Sequence, residues 1–284
     1  MLLRFLNSDK CISFLYDISF FSSLFQGVIV RFILILIVII VSINLTQAQN
    51  KTYFQGEDLL YEVSYYGIKL GSIRIISEGA EDYQGTTTNK AKALIRSYSG
   101  IPFVDINVIY QSWMDQSLNF SRHFESNIKD GNGWNFEEIR FKYDKGLIEY
   151  DRFEKNKVKD TYIYKTKKKY NDGMSLFFFA RNNVLSNKRY KVPCHVSDTI
   201  TTNLNFLGRI EKVETDAIKY PVSTVYFNGE LGGEGVYGMT GKFEGWFSND
   251  EAKVPIKAKV KVYIGNVDIK LIEWKRGNWM PPRG

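Results

Sequence analysis

Alternation of apolar and polar side chains recurs from Leu59 to Trp274 and constrains this 284-residue chain more than any other feature. Successive side chains of a strand point to opposite faces, so a period of two marks strands with one buried and one wet face. Strands of that kind belong to antiparallel sheets. Leu59, Tyr61, Val63 and Tyr65 share a face, with Glu62 and Ser64 opposite. Val104, Ile106, Val108 and Tyr110 alternate with Asp105 and Asn107, and Ile139, Phe141 and Tyr143 with Glu138, Arg140 and Lys142. Near the C-terminus Ala258, Val260, Val262 and Ile264 face away from Lys257, Lys259 and Lys261, and a last strand runs from Val267 to Trp274. Aromatic residues make up 15% of the chain, which suits pleated surfaces.

Turn signals separate the runs, among them Tyr66-Gly67, Gln84-Gly85 and Asn228-Gly229. Asp144-Lys145-Gly146 predicts a hairpin. One segment breaks the period. Asp172 is a capping residue ahead of a compact apolar block ending at Arg181, which predicts a short helix over 172–183. The expected fold is therefore mainly all-β, an antiparallel curved sheet or open, incomplete β-barrel wrapping that one helix. No repeat or low-complexity linker divides residues 49–284, so they read as a single domain.

The N-terminal region reads differently. Arg31 precedes ten apolar residues, Phe32 to Val41, and a small-residue site at Thr46-Gln47-Ala48, the pattern of a secretory signal peptide cleaved after Ala48. The apolar run is shorter than the roughly 20 residues that span a bilayer; the alternative is an uncleaved N-terminal anchor. Residues 1–29 precede an already complete signal and read as an extension from a start codon called too early. Export would place the protein in the periplasm. Removing residues 1–48 also removes Cys11, leaves Cys194 without an internal disulfide partner and keeps the chain basic.

Three blocks in order carry a family resemblance. The stretch from Gly56 and Glu57 through Tyr61 to Gly71 resembles the opening block of the exported bacterial proteins grouped as domain of unknown function 3108. Asp172, Ser175 and Arg181 are similar to its middle block. Trp246, Ser248 and Asp250, followed by Pro255 and Gly265, are similar to its closing block. The resemblance implies a β-rich exported protein akin to open-barrel lipoprotein carriers. It implies no activity.

Chemical signals are sparse. Gly233 to Gly238 spells G-x-G-x-x-G, but a strand is expected after it where a dinucleotide site needs a helix, so it reads as a hairpin loop. Cys194 and His195 are strand neighbours pointing to opposite faces, a buried thiol and a surface imidazole, and cannot pair as nucleophile and base. Glu137 and Glu138 diverge for the same reason. With two His and two Cys in the chain, neither a metal site nor a cofactor is expected. Asp172 and Ser175 read as helix caps, against an anion site at the helix N-terminus. Arg181 reads as a buried partner of a sheet carboxylate, against a ligand contact. The lysines of 155–159 and 165–169 have acidic neighbours in Glu154 and Asp160. They read as a solvated face with at most peripheral membrane contact and no nucleic-acid partner.

A curved sheet presents a concave apolar face, the default site for a small apolar molecule. The leading expectation is a carrier or binding protein for a lipid or other apolar or amphiphilic ligand. Its candidate lining residues are Tyr61, Val63, Tyr65, Val108, Tyr110 and Phe177. The alternative is a structural or envelope-assembly protein docking a protein partner; an enzyme comes third.

Overall fold

A computed structural model describes residues 51–101, 105–155, 157–196, 198–234, 239–262 and 265–284. The signal-peptide and start-site expectations fall outside the described residues. Eight strands precede the helix: β1 (Asp58–Tyr65), β2 (Ile68–Tyr83), β3 (Thr86–Ser97), β4 (Asn107–Asp115), β5 (Ser121–Asp130), β6 (Gly133–Lys142), β7 (Leu147–Glu154) and β8 (Lys157–Lys165). Helix α1 (Gly173–Asn183) follows. Six more strands complete the chain: β9 (Arg189–His195), β10 (Thr199–Thr215), β11 (Ile218–Glu234), β12 (Met239–Ser248), β13 (Pro255–Val262) and β14 (Gly265–Lys275).

All fourteen strands form one antiparallel sheet in the order β8-β7-β6-β5-β4-β3-β2-β1-β14-β13-β12-β11-β10-β9. Nearly every neighbour is thus the next strand in sequence, as local hairpins require. Tyr66-Gly67 and Gln84-Gly85 carry positive φ at both positions, the two-residue turn whose twist matches the flanking strands. The hairpin expected at Asp144-Lys145-Gly146 joins β6 to β7, with Lys145 N–H donating to Lys142 C=O. The Gly233–Gly238 motif is flanked by β11 and β12, strands on both sides; its residues 235–238 lie outside the described ones.

Register sets the inner face. Tyr61 lies opposite Ile73 and Leu271, Val63 opposite Ile269, and Tyr65 opposite Val267. Ile73 opposes Ile95, which opposes Val108, and Tyr110 opposes Ala93. Directly opposed residues project to the same side, so one apolar surface runs across the middle of the sheet.

The sheet does not close into a barrel, because β8 and β9 share no ladder. A short link joins its two halves instead. Ser121 N–H donates to Tyr170 C=O at 2.8 Å, and Asn171 exchanges backbone bonds with Pro193 and His195 on β9. The helix then enters the concave side. Asp172 in extended conformation accepts from the N–H groups of Met174 and Ser175, and its own N–H donates in return to the Ser175 hydroxyl. This reciprocal box satisfies donors that the first helical turn leaves free. Phe178 and Arg181 on α1 are fully buried.

Candidate functional site

Between α1 and strands β9 to β13 lies a cavity of about 300 Å³. Leu176, Phe177 and Ala180 of the helix face Ile200, Leu204, Phe227, Leu231, Phe243, Phe247, Ala258 and Val260 around it. Its walls are almost wholly apolar, and small-molecule pockets run from about 300 to 1,000 Å³. Gly245 shapes one wall: a Cβ there would meet the Phe227 ring at 2.1 Å. That close approach is the crowding relief expected of a glycine in a strand. Gly265 serves a different need, with φ +138° at the start of β14.

Of the six residues that alternation suggested as lining, Phe177 borders this cavity. Tyr61, Val63, Tyr65, Val108 and Tyr110 lie on the inner face of β1 and β4, away from it. Val108 is fully buried, and the Tyr61 hydroxyl donates to the Pro255 carbonyl at 3.2 Å. The strand half of the cavity lies far along the chain from the first strand. The alternation Thr202-Leu204-Phe206 was the available signal, but alternation alone does not say which apolar face keeps space.

Cys194 points into the cavity, with its sulfur 3.4 Å from the Thr202 hydroxyl. Burial pushes its thiol up to about 11, so it is held protonated and unreactive. His195 departs from expectation. It is buried rather than on the surface, because its face of β9 is covered by the inner wall of the other half-sheet. Its ring centroid lies 6.4 Å from Phe141, 6.3 Å from Tyr150 and 6.1 Å from Tyr162. Its polar neighbours are the Val196 backbone and Asp198, and neither offsets the cost of burial. Burial pulls its pKa down to about 4, so the imidazole is neutral at physiological pH.

Of the motif residues, Glu57, Asp172, Ser175, Arg181, Ser248 and Asp250 form a polar framework beside the cavity, whereas Trp246 and Pro255 lie in its wall. Arg181 donates from both terminal nitrogens to the Glu57 carboxylate, at 2.5 and 2.7 Å, and to the Ala252 carbonyl. Arg276 adds a second cation on Glu57 at 2.5 Å. The expected sheet-side carboxylate for Arg181 is therefore Glu57, just before β1. Ser248 donates to Asp250 at 2.8 Å and accepts from the Val254 N–H, and the Trp279 indole donates to Asp250 at 2.7 Å.

Asp172 does more than cap. Its second carboxylate oxygen accepts from Ser112 on β4 at 2.6 Å and from Ser121 on β5. Burial pushes its carboxyl above the ordinary range, although the two serines and two backbone donors pull it back. Asp172→Ala removes the acceptor of four buried donors, of which the Ser121 hydroxyl alone keeps another, the His123 carbonyl at 3.3 Å. The expected loss is about 2–3 kcal/mol, above the ~1 kcal/mol of a plain cap, read from urea melts. A loss no larger than that of a plain cap would show that the serine bonds contribute nothing.

An open antiparallel sheet enclosing a capped helix and an apolar cavity defines a β-barrel-like class of protein. Residues 60–272 match the family model described as protein of unknown function (DUF3108), and the chain belongs to that family. A Brucella abortus protein of domain of unknown function DUF1849, described as β-barrel-like, shares the fold. It superimposes with a TM-score of 0.53 at 8% identity, over 78% of this chain and 98% of its own. A Bacteroides fragilis protein described as a candidate exported protein with a YmcC-like fold gives 0.31 at 10% identity, over 79% and 99%. A candidate lipoprotein from Parabacteroides distasonis gives 0.29 at 10%, over 78% and 96%. No curated protein matches the chain. Among the described residues no helix is long and apolar enough to cross a membrane.

Proposed function

We propose that this chain is an exported carrier or binding protein for an apolar or amphiphilic small molecule, held between α1 and strands β9 to β13. The observation that carries this reading is the cavity of about 300 Å³ with its nearly continuous apolar wall. Interiors normally pack densely and leave few voids larger than a water molecule. A cavity this size, lined by Phe177, Phe227 and Phe243, favours a guest excluded from water. Export is supported by Arg31, the Phe32 to Val41 run and the Thr46-Gln47-Ala48 site.

Saturable uptake of an environment-sensitive fluorophore tests the reading. Ala258→Trp should fill the cavity, abolish uptake and change stability by less than about 1 kcal/mol. If the space does not admit a guest, the wild type takes up no dye, and the same substitution overpacks at about 1–3 kcal/mol. A second reading, docking of an envelope protein partner, draws on β8, an end strand exposed along its length that presents Val158 and Ile163. Native mass spectrometry separates the two: a co-purifying lipid supports the carrier, a co-purifying protein the scaffold.

A further inference from the structure

The outer face of the first half-sheet carries a different kind of site. Across β4, β5, β6 and β7, Gln111, Glu125, Glu138 and Asp151 fall in one register row. The next row holds Trp113, His123, Arg140 and Glu149. Three carboxylates thus stand side by side on adjacent strands, and like charges directly opposed destabilise a sheet. Arg140 pairs with Glu138, Glu149 and Asp151, and Lys142 with Glu149, whereas among the described residues neither cation pairs with Glu125.

We propose that His123, Glu125 and Glu138 bind a divalent transition-metal cation of the zinc class. The His123 Nε2 lies 3.1 Å from Oε1 of Glu125 and 3.7 Å from Oε1 of Glu138, and the three candidate ligand atoms lie within 4.8 Å of one another. Nitrogen and oxygen ligands at about 2.0–2.2 Å from tetrahedral zinc sit roughly 3.3–3.6 Å apart. Only small side-chain adjustments separate the two arrangements.

The atoms that would not touch the ion are already held. The Tyr83 hydroxyl lies 3.3 Å from His123 Nδ1, and Gln111 Nε2 donates to Glu125 Oε2 at 3.0 Å. Arg140 donates to Glu138 Oε2, and it keeps Glu149 and Asp151 as further partners. The imidazole stacks on the Tyr83 ring and packs against the tilted Trp113 ring, each at 4.7 Å. Outer groups that orient metal ligands in this way are the usual second half of a metal site. His123 is buried, whereas about a quarter of each glutamate side chain is exposed. An ion can therefore enter from solvent and keep water in a fourth position. One imidazole with two carboxylates suits zinc and its neighbours, whereas magnesium and calcium prefer all-oxygen sites. The scarcity of His and Cys excludes a His-rich or thiolate site, not one built on a single histidine.

Calorimetric titration of zinc chloride into the chelator-stripped, tag-free protein tests this. One equivalent should bind, and excess magnesium should not displace it. The nearly isosteric Glu125→Gln should weaken binding about 100-fold, as should His123→Ala if that variant folds. Tyr83→Phe, which removes no ligand, should weaken it about ten-fold. Asp130→Asn removes a charge from the same strand at a position that takes no part in the cluster, and should change affinity less than about three-fold. The absence of stoichiometric binding, or equal losses in Glu125→Gln and Asp130→Asn, would overturn the proposal, the latter by reducing the site to a diffuse acidic patch.

Discussion

Glu57→Ala is expected to lower the unfolding free energy by roughly 3–5 kcal/mol. Arg181 has no exposed surface, and Glu57 is the only carboxylate that bonds it among the described residues. Arg276, also buried, shares that carboxylate. Removing it leaves two guanidinium groups facing each other without their shared anion, and an uncompensated buried charge is far costlier than a lost surface pair. The neighbouring Asp58 is the internal control. It pairs with Arg74 at 2.5 Å where half of the arginine side chain is exposed, so Asp58→Ala should cost less than about 1 kcal/mol. Urea melts with unchanged slope and a lower midpoint would report the difference. Similar losses in the two variants would mean that the Glu57 pair is hydrated and contributes no more than a surface bridge.

Acid is expected to weaken the fold through His195. Folding holds its pKa near 4 against the ordinary 6.5, because burial disfavours the charged ring. The folded state therefore favours the neutral form. The contribution is fully present above the unfolded value and is lost as pH falls from about 6.5 toward 4, up to roughly 3 kcal/mol. His195→Phe keeps a ring against Phe141, Tyr150 and Tyr162 and removes two buried nitrogens whose burial outweighs their polar contacts. At neutral pH that variant should match or exceed the wild type in stability, and over the acid range its stability should fall less steeply. Unfolding free energies measured from neutral pH down to about 4 decide the matter. Parallel pH slopes for the two proteins would show that another group carries the acid sensitivity.

Local signals carried the fold a long way. Alternation located strands, and Tyr66-Gly67 and Gln84-Gly85 located turns whose backbone has the expected left-handed conformation. Asp172 and Ser175 located the start of the helix. These features depend on residues a few positions apart. The open sheet was legible too, because long runs of hairpins must close or leave edges. The closure at Tyr170-Asn171 was not, since it joins β5 to β9 by backbone bonds that no side-chain pattern encodes. His195 was misread for a related reason. Alternation correctly opposes it to Cys194, but both faces of β9 are covered, one by α1, the other by the half-sheet ending in β8. The His123 cluster depends on the exact register of the β5–β6 hairpin, which sets Glu125 opposite Glu138, and the cavity depends on how α1 packs on β9 to β13; alternation specifies faces without specifying either. Phe177 was within reach because it belongs to the helix, whose position inside the sheet was already implied.

The place of β1 has a consequence for how the chain reaches this state. The first strand lies in the interior of the sheet beside the last, with Asp58 paired to Lys275 and Tyr65 to Val267. Strands β1 to β8 can zip from one local turn to the next as they emerge, and β9 to β14 can do the same. The ladder between β1 and β14 is non-local and must wait until β14 is available, when it closes a loop from Asp58 to Lys275. The Glu57–Arg276 bond waits with it. A chain emerging N-terminus first thus keeps its central seam unpaired until β14 has emerged. The two half-sheets then join in one late event.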